Sequence, residues 1–243
     1  MTHTYRIAER CIQIRSVYSY VHEYCADYRV DADAEWSVVT TREDIAFERE
    51  KSRREDIAEG RPVRDYSDAY LETLAVYRKI AERMPLYQTF LFHGSVVAVD
   101  GVGYLFTAKS GVGKSTHTKY WMELFGDRAV MINDDKPLIR VAEGVVTVYG
   151  TPYNGKHRRG SNLSVPLKAV CMLERAERNR IEPISKAAAF PQMVRQIYRP
   201  SEPEALSLTL MLLDRMTECV GLYRLECNMS TEAAKIAYRA MKG

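Results

Sequence analysis

Residues 106–117 read FTAKSGVGKSTH. Gly111 and Gly113 let successive backbone N–H groups converge on one point, and a helix starting there adds its positive end, so the stretch suits an anion. In this pattern Ser110, Gly111, Val112, Gly113, Lys114, Ser115 and Thr116 surround nucleotide phosphates, with Lys114 reaching the β- and γ-phosphates and the Ser115 hydroxyl serving Mg²⁺. Ala108 stands where such loops usually have their first glycine; a residue with a Cβ fits there if its φ stays negative. Downstream, an apolar run, RAVMIN, stops at Asp134-Asp135. Neighbours in an extended segment point to different sides, so one carboxylate can serve Mg²⁺ while the other faces an acceptor hydroxyl. A third cluster, TPYNGKHRRGSN, offers Lys156, Arg158 and Arg159. These either neutralise phosphoryl oxygens or form a solvated basic loop; Lys156 ranks first because the Asn154-Gly155 turn sits just ahead of it.

The elements that must position these groups are legible in part. FLFHGSVVAVDGVGYLFTA reads as two strands about an Asp100-Gly101 turn, the second running into the glycine loop. STHTKYWMELFG reads as a helix with Trp121, Leu124 and Phe125 on one side and Gly126 at its end. RAVMIN, KPLIRVAEG, VVTVYG and PLKAVCMLER read as strands, with Cys171 packed in the last of them. Ser201-Glu202-Pro203-Glu204 has capping-box spacing with proline in the first turn, and STEAAKIAYRAMKG closes the chain as an amphipathic helix. In the first third, YRIAERCIQIR alternates like a half-buried strand, EWSVVTT like a second, and residues 42–64 carry dense charge of both signs, as a solvated helix or loop does. SDAYLETLAVYRKIAERMP places Tyr70, Leu74, Tyr77, Ala81 and Met84 at helical spacing between a Ser67 cap and a Pro85 stop. The whole reads as α/β with much antiparallel strand content.

From His93 to about Arg140, HGSVVAVDGVGYLFTAKSGVGKSTH followed by NDDKPLIR resembles the catalytic core of the HPr kinase/phosphorylase family. Residues 150–175 continue the likeness more weakly. The resemblance implies a phosphoenolpyruvate-carboxykinase-like P-loop fold with a largely antiparallel or mixed sheet and C-terminal helices, over residues 89–243; residues 1–88 do not resemble the family and read as an N-terminal α+β region packed on that core. It implies that Lys114 contacts phosphate, that Ser115 and Asp134 hold Mg²⁺, that Asp135 is the general base and that His93 lies beside the transferred phosphoryl group; the two aspartates are open to exchange. Thr116 replaces the family's usual glutamate, and the glycine-rich stretch linked to dephosphorylation is not evident.

The expectation is therefore a kinase that uses ATP and Mg²⁺ to phosphorylate a serine-like hydroxyl in a protein, peptide or small molecule, with Asp135, His93, Lys114 and Lys156 at the reacting centre. The alternative is a nucleotide-binding accessory protein without efficient transfer. A carboxykinase-type lyase lacks its extra lysine and histidine metal ligands. The net charge of +3 gives no basic field for nucleic acid, and no apolar run approaches the roughly 20 residues that cross a bilayer. Five scattered cysteines fit buried thiols in a reducing cytoplasm, and His3, His22 and His157 have no metal-ligand spacing. His117 reads as a helix-face residue. A homo-oligomer is compatible with the resemblance.

Overall fold

The Asp100-Gly101 turn closes the anticipated hairpin: both residues hold positive φ, 52° and 79°, the geometry that suits the right-handed twist of the flanking strands. In the computed structural model, which describes residues 1–109, 111–155 and 158–243, the chain forms two units, Met1–Arg83 and Met84–Gly243.

The first unit contains, in chain order, strands β1 (Thr2–Ile7) and β2 (Arg10–Arg15), helix α1 (Tyr20–Tyr24), strands β3 (Arg29–Val30) and β4 (Trp36–Val39), and helices α2 (Arg42–Ala58) and α3 (Asp68–Arg83). The sheet order is β3-β1-β2-β4. YRIAERCIQIR is not one strand but a hairpin turning at Ala8-Glu9, both at positive φ. The alternation persists across the turn because Tyr5, Ile7, Ile12 and Ile14 share the buried face. Thr41 and Asp44 make a reciprocal capping box at the start of α2. That helix is not merely solvated charge: Glu48 and Asp56 are buried, paired with Arg78 and with Arg61 and Arg64. In α3, Ser67 accepts from the Tyr70 N–H at 3.3 Å and the helix stops before Pro85. Of the expected stripe Tyr77, Ala81 and Met84 are buried and Tyr70 and Leu74 half-buried, while Leu71, Ala75, Val76 and Ile80 widen the buried face.

The second unit runs β5 (Thr89–Leu91), β6 (Ser95–Val99), β7 (Val102–Thr107), α4 (Lys114–Phe125), β8 (Ala129–Asn133), β9 (Leu138–Ala142), β10 (Val145–Tyr149), β11 (Ser164–Arg175), β12 (Arg180–Pro183), α5 (Lys186–Met193), α6 (Pro203–Cys219), β13 (Gly221–Cys227) and α7 (Thr231–Met241). Its mixed sheet has the order β5-β9-β10-β11-β7-β6-β8, with β13 parallel to β11 and β12 antiparallel to β13. Strands β12 and β13 and helix α5 have no counterpart in the sequence expectations. The capping box expected from Ser201 does not form: Glu202 takes the N-cap position, with no side-chain cap. Pro203 already occupies the first helical position, which moves the cap one residue along.

Alternation along the central strands divides the core by face. Val96, Leu105, Val170 and Met172 pack with Ala189 and Met193 of α5 and Leu212, Leu213 and Met216 of α6. Val97, Phe106, Cys171 and Leu173 pack with Trp121 of α4 and Ala234, Ala237 and Met241 of α7. Burying each large apolar side chain in these layers contributes roughly 1.5–3 kcal/mol. Cys25 and Cys171 are buried as expected, but Cys219 is exposed, and none of the five cysteines is in a disulfide. No helix among the described residues is long and apolar enough to cross a membrane.

Candidate active site

Strand direction gathers the candidate residues. Strands β6 and β8 are antiparallel, with Val96 opposite Asn133, so the start of β6 meets the end of β8. Strand β7 is antiparallel to β6 and parallel to β11, which brings the exits of β7 and β11 to the same edge. His93, the glycine loop, the acid pair and Arg175 therefore converge without any of them being close in sequence. Crevices at strand ends are where open α/β sheets place ligands.

After β7 the loop turns through Gly111 and Gly113, at φ 79° and 117°, values that residues with a Cβ rarely adopt. Ala108 keeps a negative φ and is buried against the Trp121 layer, as the sequence reading required. Helix α4 then starts at Lys114. The Lys114 Nζ donates to the Ala108 carbonyl at 3.3 Å. Burial pushes the Lys114 ammonium below its ordinary value, and the negative charge of Asp135 partly opposes that shift. Ser115 and Thr116 lie in the first turn of α4. His117 is buried, accepts from Trp121 Nε1 at 3.0 Å and is pushed down to about 4 by desolvation, so it is a neutral packing residue.

The acid corner is tied down more tightly. His93 Nε2 lies 3.4 Å from Asp135 Oδ1, with the two side chains 39% and 32% exposed. Burial raises the Asp135 pKa, but hydrogen bonding from His93 and the charges of Lys136 and Lys114 outweigh it, leaving the carboxyl below its usual range. The backbone beneath is cross-braced: the Gly94 N–H donates to the Asp135 carbonyl at 2.9 Å, and the Ser95 hydroxyl to the Asp134 carbonyl at 2.9 Å. A Cβ on Gly94 would come within 3.0 Å of the Phe106 carbonyl oxygen, so the His-Gly-Ser order reflects a close approach of strands.

The two aspartates face different partners. Asp135 looks toward His93 and Lys114, whereas the buried Asp134 carboxylate accepts the Gly155 N–H. Arg158 and Arg159 are exposed; Ser110 and Lys156, named from the sequence, lie outside the described residues, as does His157. Among the described residues no three histidine, cysteine or acidic side chains gather as a metal cage. Hard oxygen donors from Ser115 and an aspartate fit Mg²⁺, which is usually held by one or two carboxylates plus substrate phosphates.

Three contributors escape the sequence reading. Asn133 is fully buried; its Oδ1 accepts from the backbone N–H of Asp135 at 2.9 Å and of Lys136 at 2.7 Å, while Nδ2 donates to Thr151 Oγ1 at 3.0 Å. An asparagine just before an acid pair is the signal that could have found it, since such side chains bond the backbone two residues on. Thr151, its partner, carries no such signal. Arg175, at the end of β11, donates to the Val112 carbonyl at 3.1 Å and the Gly111 carbonyl at 2.7 Å. These two bonds tie the carbonyls of the loop to the end of β11. A cavity of about 410 Å³ opens beside the loop, between β11 and the segment after α5.

Similarity to known proteins is uneven. The solved Hpr(Ser) kinase/phosphatase from Coxiella burnetii aligns with 63% of this chain and 99% of its own, at 10% identity and a TM-score of 0.33. No curated protein matches the sequence. The family described as SynChlorMet cassette protein ScmC matches residues 62–199, a stretch holding the glycine loop, the acid pair and Asn133, and the chain belongs to that family.

Proposed function

We propose that the protein is an ATP-dependent phosphotransferase with a hydroxyl acceptor. The observation that carries this reading is the meeting of His93, Asp135 and Lys114 beside a glycine loop that opens a helix. Phosphoryl transfer asks little covalent chemistry of a protein; it needs phosphates held in place, charge offset as it develops, and a group to receive the acceptor's proton. The loop N–H groups and Lys114 hold the phosphates. Mg²⁺, held through Ser115 and an aspartate, supplies charge neutralisation when bound.

In the transfer step the acceptor oxygen forms a bond to the γ-phosphorus. The bond from that phosphorus to the β,γ-bridging oxygen breaks, its electron pair leaving with ADP, and the hydroxyl proton passes to the Asp135 carboxylate. His93 orients that carboxylate from 3.4 Å. Asp135 is the better base because it faces Lys114 and the loop, while Asp134 is braced by Gly155.

The test is to follow the γ-label of ATP in the presence of hydroxyl-bearing peptides and metabolites, alongside calorimetry with wild type and Lys114→Ala. Label in a second molecule, and weaker nucleotide binding by the variant, support the reading. Nucleotide binding without transfer across the acceptor screen returns the protein to the accessory role. Equal nucleotide affinity in both proteins removes the loop from the account.

A further inference from the structure

The cavity beside the loop has walls of opposite charge. It is lined by Thr107 and Ala108 before the glycines, by Met172 and Glu174 of β11, and by Arg195 and Gln196 beyond α5. Two bonds connect it to the reacting groups: the His93 N–H donates to the Gln196 carbonyl at 2.7 Å, and the Thr107 hydroxyl to the His93 carbonyl at 3.2 Å. Lys114, the residue expected to reach the β- and γ-phosphates, donates to the cavity-lining Ala108. The cavity therefore opens at the end of the loop where a γ-phosphoryl group would stand.

Glu174 follows Met172 by two residues on a strand, so it shares the face that packs against α5. Its carboxylate makes no hydrogen bond or close ion pair among the described residues, and its charge acts only through space on Arg224. The Arg195 guanidinium likewise has no partner among them. Two more cations line the cavity: Arg175, which is engaged with the loop carbonyls, and the exposed Lys109 beside the glycines. A triphosphate has nothing to offer the Glu174 carboxylate and is repelled by it, whereas a ligand carrying charges of both signs can meet Glu174 and Arg195 together. The volume, about 410 Å³, lies in the range of small-molecule sites.

We propose that this cavity receives the phosphoryl acceptor, and that the acceptor is an amino-acid-sized zwitterion bearing a hydroxyl, its ammonium facing Glu174 and its carboxylate facing Arg195. The assignment rests on the phosphotransferase reading. The bonds made and broken are those of the transfer above, with the zwitterion's hydroxyl oxygen as nucleophile and its proton delivered to Asp135. The product is a phosphate monoester of the amino acid, with ADP.

The test measures binding separately from transfer. Full-length protein with ADP and Mg²⁺ is titrated with L-serine and L-homoserine, and with N-acetyl-L-serine and L-serinamide, which lack the cation and the anion respectively. At least one free amino acid should bind, and each blocked analogue should bind about tenfold more weakly than L-serine. Glu174→Gln should abolish discrimination against N-acetyl-L-serine only, and Arg195→Gln against L-serinamide only. Blocked analogues binding as tightly as the free amino acids, no amino acid binding at all, discrimination unchanged in both variants, or displacement of L-serine by ADP would each overturn the assignment. Label moving from ATP to another hydroxyl compound without this discrimination overturns the assignment and leaves the phosphotransferase reading standing. Discrimination with no label transferred overturns that reading and leaves the dipolar cavity standing.

Discussion

Two carboxylates, Glu72 in the first unit and Asp135 in the second, are treated in opposite ways. In the first unit Glu72 is fully buried and accepts from the Val17 and Tyr18 backbone N–H groups at 2.6 and 2.8 Å and from the Thr40 hydroxyl at 2.5 Å. Every oxygen has a partner, and nothing is left over for a ligand. In the second unit Asp135 stays about one-third exposed, faces one histidine and lies near a lysine, while its backbone rather than its side chain is pinned by Asn133 and Gly94. Saturating a carboxylate makes it a structural brace. Fixing only its backbone leaves the carboxylate able to exchange partners with a substrate.

The sharpest way to break this contrast is Asp135→Asn. The amide keeps the shape but cannot take a proton, so transfer should fall roughly 10²–10⁴-fold with nucleotide affinity little changed. Asp134→Asn should instead raise the Mg²⁺ requirement. Full transfer in both single variants, measured by label release, would refute the mechanism. The pH dependence carries a sign as well. Because the folded Asp135 lies below the ordinary carboxylate value, the base stays ionised down to that depressed value. The acid limb of transfer should therefore fall below the ordinary carboxylate range, and Asp135's share of stability should be lost only as pH drops through the folded pKa. An acid limb near neutrality that persists in Asp135→Asn would assign the limb elsewhere.

Glu72→Gln tests the other side. It replaces one acceptor oxygen by an NH2 group that faces buried donors and should cost about 2–4 kcal/mol, read as a lower midpoint in denaturant, with the transfer rate per folded molecule unchanged. A loss of transfer without a loss of stability would mean that the brace is not merely structural. Arg175→Met should weaken ATP binding about fivefold by releasing the loop carbonyls, an effect the size of a modest exposed hydrogen bond. Its signature is a raised KM for ATP at nearly constant kcat, and equal KM values would refute the clamp. The smallest effect is Ala108→Gly, which removes a buried methyl and adds chain entropy for about 1 kcal/mol of stability. Calorimetry should find nucleotide binding retained.

Local chemistry marked what local chemistry controls. The Asp100-Gly101 turn, the glycines before α4, the strand ending just before Asp134 and the helix after Ser67 each follow from φ preferences, periodicity or caps within a few residues. Where two local signals competed the outcome was less legible. Alternation ran unbroken through the Ala8-Glu9 turn and hid a hairpin, and a proline at the first helical position overrode the Ser201 capping pattern.

The site itself divides along the same line. The sequence alone marked the glycine loop and the acid pair, because each is a contiguous stretch whose geometry its own residues impose. It could not determine which aspartate turns to His93, that Asn133 braces the pair from Thr151, or that Arg175 holds the loop from 63 residues away. Those relations come from strand order: β11 beside β7 and β8 beside β6 bring distant residues to one edge of the sheet. Strand order depends on how two buried faces are shared among all the strands and helices at once, a balance that no short stretch of the sequence contains.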